Sequence, residues 1–297
     1  MRKIGRQLCV VVVLALFVLA LSGNAQTAKT KSGFIATLDG ARIHYLEVGL
    51  KGAQAPTILF VPGWTMPAWI WEQQIAHFSK TRRVVAMDPR GQGESSKPTE
   101  GYHPTVRARD IKAVVDQLRL APVVLVGWSM GVGEVAAYVE QFGTADLAGI
   151  ALVDGFAGAD PSPQMTSAVL GLAGNFLKDR GKFTDEFVRS MYKKPHPETY
   201  IKKVVAASKQ TPTSAGVALF VGMFTTDHRP VLGKIDKPTL ICMAPSGPWD
   251  ALYEDMHRWV AGSRLVKFEG AGHALFVDEA EKFNQLLGDF VRSLVRP

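Results

Sequence analysis

The run Val123-Val124-Leu125-Val126-Gly127-Trp128-Ser129-Met130-Gly131 decides the fold. Its four opening residues read as a strand buried on both faces, and Met130–Phe142 has the spacing of an amphipathic helix. A Gly-x-Ser-x-Gly segment in isolation is a common accident. Between a strand and a helix it is specific, because the sharp turn pushes the serine hydroxyl out at the sheet edge. Gly127 and Gly131 answer to that turn, since side chains there would collide with crowded backbone.

The same alternation repeats outward. Apolar runs at Thr57 to Val61, Arg83 to Asp88, Gly149 to Asp154, Thr239 to Met243 and Leu265 to Phe268 predict further strands. Helices fit between them at Trp69–Phe78, Val106–Arg119 and Tyr253–Val260, with a last one at Glu279–Val295. Ahead of these, Phe34–Leu38 and Arg42–Val48 read as a hairpin around Asp39-Gly40, a pair that tolerates positive φ. The pattern predicts an open α/β sheet with ligand chemistry at the carboxyl ends of its strands. From about Phe156 to Arg229 the alternation stops. Helical segments carrying Met165, Leu170, Phe176, Phe187, Met191, Tyr192, Phe220, Met223 and Phe224 predict a lid over that end, most of the aromatics holding the insertion together and a minority lining a cavity.

The amino end reads separately. Arg2, Lys3 and Arg6 precede an apolar stretch from Leu8 to Leu21, and small residues Gly23 and Ala25 follow. This is the layout of an export signal spanning residues 1–25, leaving a domain over 26–297. The stretch is short for a membrane span, which needs about 20 apolar residues; an uncleaved anchor is the alternative. Cleavage would remove those three of the 34 basic residues and none of the 27 acidic ones, for a net +4, together with one of the two cysteines. The expectation is an exported soluble chain without disulfides and without stable membrane association after cleavage. Its remaining basic residues are scattered, so nucleic acid is not an expected partner. With 297 residues, 47% of them hydrophobic, the chain can bury a substantial core, which excludes a disordered or collagen-like protein.

A serine needs a base to act as a nucleophile. Of the seven histidines, His273 stands out in Gly270-Ala271-Gly272-His273-Ala274, after the last predicted strand and before the last helix. That is where the base falls when chain order runs Ser, acid, His. The histidines show no metal-ligand spacing, so a metal site is not expected. Donors for a developing oxyanion are the backbone N–H of Met130, at a helix start, and that of Trp64 in Pro62-Gly63-Trp64. The rings of Trp64 and Trp128 are candidate walls of a substrate pocket, with plain packing as the competing role.

Taken together, Pro62-Gly63-Trp64, Asp88-Pro89-Arg90-Gly91-Gln92-Gly93-Glu94-Ser95, Gly127-Trp128-Ser129-Met130-Gly131 and Gly272-His273 resemble the α/β-hydrolases of the esterase, haloperoxidase-like and C–C hydrolase group. The resemblance runs from about Gly33 to the end. It implies an eight-stranded, mostly parallel sheet, no cofactor, and acyl transfer through a covalent acyl-serine. It leaves the 88–95 segment as a structural turn. The chain departs from the pattern twice. Pro62 stands where the family usually has His before the glycine. After Thr239–Ile241 the position expected to hold the acid is Gly247.

Two carboxylates compete for that missing role. Asp154 ends the strand next to the nucleophile strand, and adjacent strands lie about 4.8 Å apart, within reach of the His273 loop. Asp250 lies three residues beyond the usual position and would serve if its loop bulges. The leading expectation is a serine esterase for small or medium apolar carboxylic esters. The alternatives are a C–C hydrolase or perhydrolase with the same residues, or a hydrolase fold that only binds a small ligand.

Overall fold

The structure, a computed structural model, describes residues 30–50, 55–158 and 162–295. The expected export segment 1–25 lies outside the described residues. Eight strands form one sheet: β1 (Lys31–Ala36), β2 (Arg42–Val48), β3 (Thr57–Val61), β4 (Val84–Met87), β5 (Val123–Trp128), β6 (Leu147–Val153), β7 (Thr239–Met243) and β8 (Arg264–Lys267). Their spatial order is β1-β2-β4-β3-β5-β6-β7-β8. β1 and β2 pair antiparallel, as do β2 and β4, and every other pair is parallel.

The uninterrupted apolar runs follow from burial on both faces. Along β5, Val123 and Leu125 join the core on one face while Val124 and Val126 join the other. β3 does the same with Leu59 and Val61 against Ile58 and Phe60. One face is covered by α2 (Pro104–Gln117) and α3 (Met130–Phe142), the other by α1 (Glu72–Phe78) and the carboxyl-terminal helix.

Between β6 and β7 the chain forms α4 (Pro163–Lys178), α5 (Arg180–Ser190), α6 (Glu198–Lys209), α7 (Thr213–Thr225) and the single turn α8 (Arg229–Leu232). A third apolar cluster, Trp64, Met130, Phe176 and Leu219, fastens α4 and α7 to the body. Then come α9 (Asp250–Trp259), α10 (Leu275–Asp278) and α11 (Ala280–Ser293).

The second strand of the hairpin has the expected bounds, and the first is displaced toward the amino end. β1 begins at Lys31, because Lys31, Ser32 and Gly33 pair with Glu47, Leu46 and Tyr45, and it stops at Ala36. Thr37 N donates to Ala41 O at 2.8 Å, closing the turn, and only Gly40 takes positive φ, at 81°. The expected last helix, Glu279–Val295, is found as α11, and the short α10, which the sequence reading lacked, precedes it. α10 packs Leu275 and Phe276 beneath the histidine loop before α11 starts.

Candidate active site

Ser129 sits between β5 and α3 at φ 56° and ψ −121°, a strained conformation for a side-chain-bearing residue. The turn is held by Ser129 N donating to Val153 O at 2.8 Å. Its glycines are needed for close approach. A Cβ on Gly127 would stand 2.5 Å from Gly131 O, and one on Gly131 would stand 2.8 Å from Val61 O.

The structure brings Ser129, His273 and Asp154 together. His273 Nε2 lies 2.9 Å from Ser129 Oγ, and its Nδ1 lies 2.6 Å from Asp154 Oδ2. Asp154 is buried, at φ 43°, and its Oδ1 accepts from Ala244 N at 2.7 Å. A carboxylate that accepts on both oxygens makes Nδ1–H the donor, leaving Nε2 to accept the Ser129 hydroxyl proton. Asp250 is elsewhere. Its Oδ1 accepts from Ser246 N at 2.8 Å at the start of α9. Gly247, at the position where the family pattern has its acid, turns at φ 68° with no neighbouring atom within 4 Å of the place a Cβ would take.

Met130 opens α3, where the first amides of a helix have no intrahelical acceptor. The loop that carries Trp64 abuts the serine, since a Cβ on Gly63 would stand 2.9 Å from Ser129 Cβ. Gln92 holds that loop. Its amide nitrogen donates to Gly63 O at 3.0 Å and Met66 O at 2.7 Å, while its oxygen accepts from Thr65 N at 3.1 Å. Thr65 itself turns at φ 59°.

The two tryptophans part company. Trp64 lines a cavity of about 440 Å³ that also touches Ser129 and His273. Its Nε1 donates to Gly216 O at 2.8 Å on α7. Trp128, expected on the pocket wall, is buried beneath it and is absent from the lining. The strand directs its ring into the core against Trp71 and Phe276, and Nε1 donates to His273 O at 3.0 Å. It packs against the histidine loop rather than lining the cavity.

Trp64, Phe156, Phe187, Phe220, Phe224, Trp249 and Tyr253 give the cavity an aromatic lining, which Met191, Met223, Pro245, Ser190 and Ser246 extend. Phe156 and Trp249 stack in parallel, centroids 5.7 Å apart, so the loop after β7 supplies an aromatic wall where the acid was expected.

Sequence reasoning missed Asp278. Its Oδ2 accepts from Gly272 N at 2.8 Å and Lys193 N at 2.7 Å, and its Oδ1 meets His196 Nε2 at 2.8 Å. Together with Ala274 N donating to Met191 O at 2.9 Å, it ties both sides of His273 to the lid. Its place five residues after the histidine was the only available signal. Among the described residues, no group of three or more His, Cys, Asp or Glu side chains is placed to hold a metal ion. Cys242 is buried, and burial pushes its thiol well above the ordinary range, away from the reactive thiolate.

This sheet, with a serine at the turn between strand and helix and its histidine before the last helices, defines a class. The chain belongs to the alpha/beta hydrolase family, whose model matches residues 58–286. It is 30% identical over 250 residues to the AB hydrolase superfamily protein YisY of Bacillus subtilis, covering 80% of this chain and 91% of that one. It is 28% identical over 277 residues to the bifunctional esterase/perhydrolase DCH of Acinetobacter calcoaceticus, covering 88% and 100%. Among solved structures it superposes on an esterase from Exiguobacterium antarcticum with a TM-score of 0.82 at 28% identity, over 88% and 100% of the two chains.

Proposed function

We propose that the protein is an exported serine hydrolase that cleaves small or medium carboxylic esters with apolar groups. The observation that carries this is the hydrogen-bonded line from Ser129 Oγ through His273 to Asp154, opening on an aromatic cavity. His273 Nε2 takes the Ser129 proton as Oγ attacks the ester carbonyl carbon. The N–H groups of Met130 and Trp64 hold the oxyanion that develops. Collapse expels the alcohol, which takes the proton from His273 and leaves an acyl-serine. Water then attacks the acyl carbon, giving up its proton to His273; the bond from the acyl carbon to Ser129 Oγ breaks, His273 returns the proton to Oγ, and the carboxylic acid leaves. Asp154 keeps the imidazole in its tautomer and stabilises its cation. No cofactor enters this sequence.

The apolar preference follows from the walls. Seven Trp, Phe and Tyr side chains line the cavity, and no Lys or Arg does among the described residues, so an ester with an anionic acyl chain would lose its hydration there without a charged partner. A second reading is supported by the esterase/perhydrolase relative: hydrogen peroxide in place of water would release a peracid from the same acyl-serine. Export rests on the residue pattern of 1–25.

The test is hydrolysis of short-chain nitrophenyl esters by the purified protein beside Ser129→Ala. Removal of a nucleophile costs about 10⁶ in kcat, so the variant should fall to background. Equal rates for both proteins would overturn the reading. Peracid formation from acetate esters and hydrogen peroxide, assayed in parallel, decides the second one.

A further inference from the structure

A second Ser–His–Asp line lies at the β1 edge of the sheet. Ser32 Oγ lies 2.8 Å from His44 Nε2, and His44 Nδ1 lies 2.7 Å from Asp88 Oδ2. Strand register creates it. Ser32 pairs with Leu46 and Phe34 with His44, so Ser32 and His44 are diagonal neighbours on one face of the β1–β2 hairpin. Strands β2, β4 and β3 separate Ser32 from the nucleophile strand β5.

The proton positions follow from the donors around Asp88. Its Oδ1 accepts from Ala68 N, and its Oδ2 accepts from Glu94 N at 3.0 Å. A carboxylate already accepting two amides requires a donor from His44, so the imidazole proton is on Nδ1. Nε2 is then an acceptor, and the Ser32 hydroxyl must donate to it. His44 cannot swing away. It is buried, its N donates to Ser95 Oγ at 2.8 Å, and its O accepts from Asp88 N at 2.9 Å. Ser32 is exposed, so a small reagent reaches it without entering the aromatic cavity.

We infer that Ser32 is a second acylation site, with His44 as its base and Asp88 orienting His44, for activated esters whose leaving group is an aryloxide. Ser32 Oγ attacks the ester carbonyl, and the new C–O bond forms as the bond to the aryloxide breaks. The Ser32 proton passes to His44 Nε2 and then to the aryloxide. The products are acyl-Ser32 and a phenol.

The experiment uses the full chain carrying Ser129→Ala, treated with p-nitrophenyl acetate and mapped by peptide mass spectrometry. A positioned general base accelerates by about 10²-fold or more. Acetyl-Ser32 should therefore form on that order faster than acetyl-Ser167 or acetyl-Ser214, serines that are also exposed. Adding His44→Gln should bring Ser32 down to their rate, with near-UV circular dichroism reporting that this variant keeps its packing. Acetylation of Ser32 no faster than Ser167 and Ser214 would overturn the inference, and needs no His44 variant to be seen. A Ser32 rate unchanged by a folded His44→Gln protein would overturn it too.

Discussion

At the residue scale, two of the three proposed catalytic groups were legible, and their signals were local. Ser129 is framed by two glycines whose absent side chains clear Gly131 O and Val61 O, and His273 stands in a glycine loop at a fixed place in chain order. The acid had no such frame, because its partner is 119 positions away in sequence and only strand adjacency brings them together. That left Asp154 and Asp250 open. The structure places Asp154 on His273 and Asp250 on Ser246. In nitrophenyl ester assays, Asp154→Asn should lower kcat by about 10⁴-fold, because the amide no longer imposes the productive tautomer. Asp250→Asn should keep full activity and lose under about 1 kcal/mol of stability at the start of α9. The reverse pattern would reassign the acid.

Elements show where periodicity stops being informative. The lid was legible as helical, but not which of its aromatics face the cavity, since that depends on how α4 and α7 seat. Trp64 does the seating. It packs on Phe176, Phe183, Phe187 and Phe220 with centroids 5.2 to 6.3 Å away and donates to Gly216 O. Trp64→Ala should cost about 3–5 kcal/mol in thermal or urea unfolding. Trp64→Phe, which loses chiefly the hydrogen bond, should cost about 1 kcal/mol. A second element contact carries a pH signature. Between α2 and α3, the fully buried Arg107 and Glu134 approach to 3.1 Å without the alignment of a hydrogen bond. Burial pushes the Glu134 carboxyl up to about 7, opposed in part by Arg107. A carboxyl that holds its proton more tightly folded than unfolded makes stability fall as pH rises between the two values. From about pH 4.5 to 7 this group should remove on the order of 3 kcal/mol, with no further change above. Glu134→Gln should flatten that part of the profile in urea titrations at pH 5 and 8. A difference between the two pH values as large as that of the unaltered chain would refute it.

At the scale of the molecule, the sheet was legible because each central strand is buried on both faces, so burial wrote itself as unbroken apolar runs. Edges were less legible. β1 and its register depend on backbone pairing with β2, and its residues are mostly exposed. The proposed export of the chain has its test here. The intact mass of protein recovered outside the cytoplasm should begin at Gln26, and retention of Met1 to Ala25 would favour an anchor. On the proposed reading, β5 and β6 divide the labour of the molecule in a way that matters for its descendants. Ser129 N is bonded to Val153 O, and Asp154 follows at once, so nucleophile and acid are braced against each other on neighbouring strands. From the loop after β7, Ala244 N donates to Asp154, and Pro245, Ser246 and Trp249 line the cavity. Substitutions there can reshape which esters are accepted while the reacting groups stay put. A combinatorial library over Pro245, Ser246 and Trp249 should therefore yield altered selectivity at high frequency and dead enzyme at low frequency.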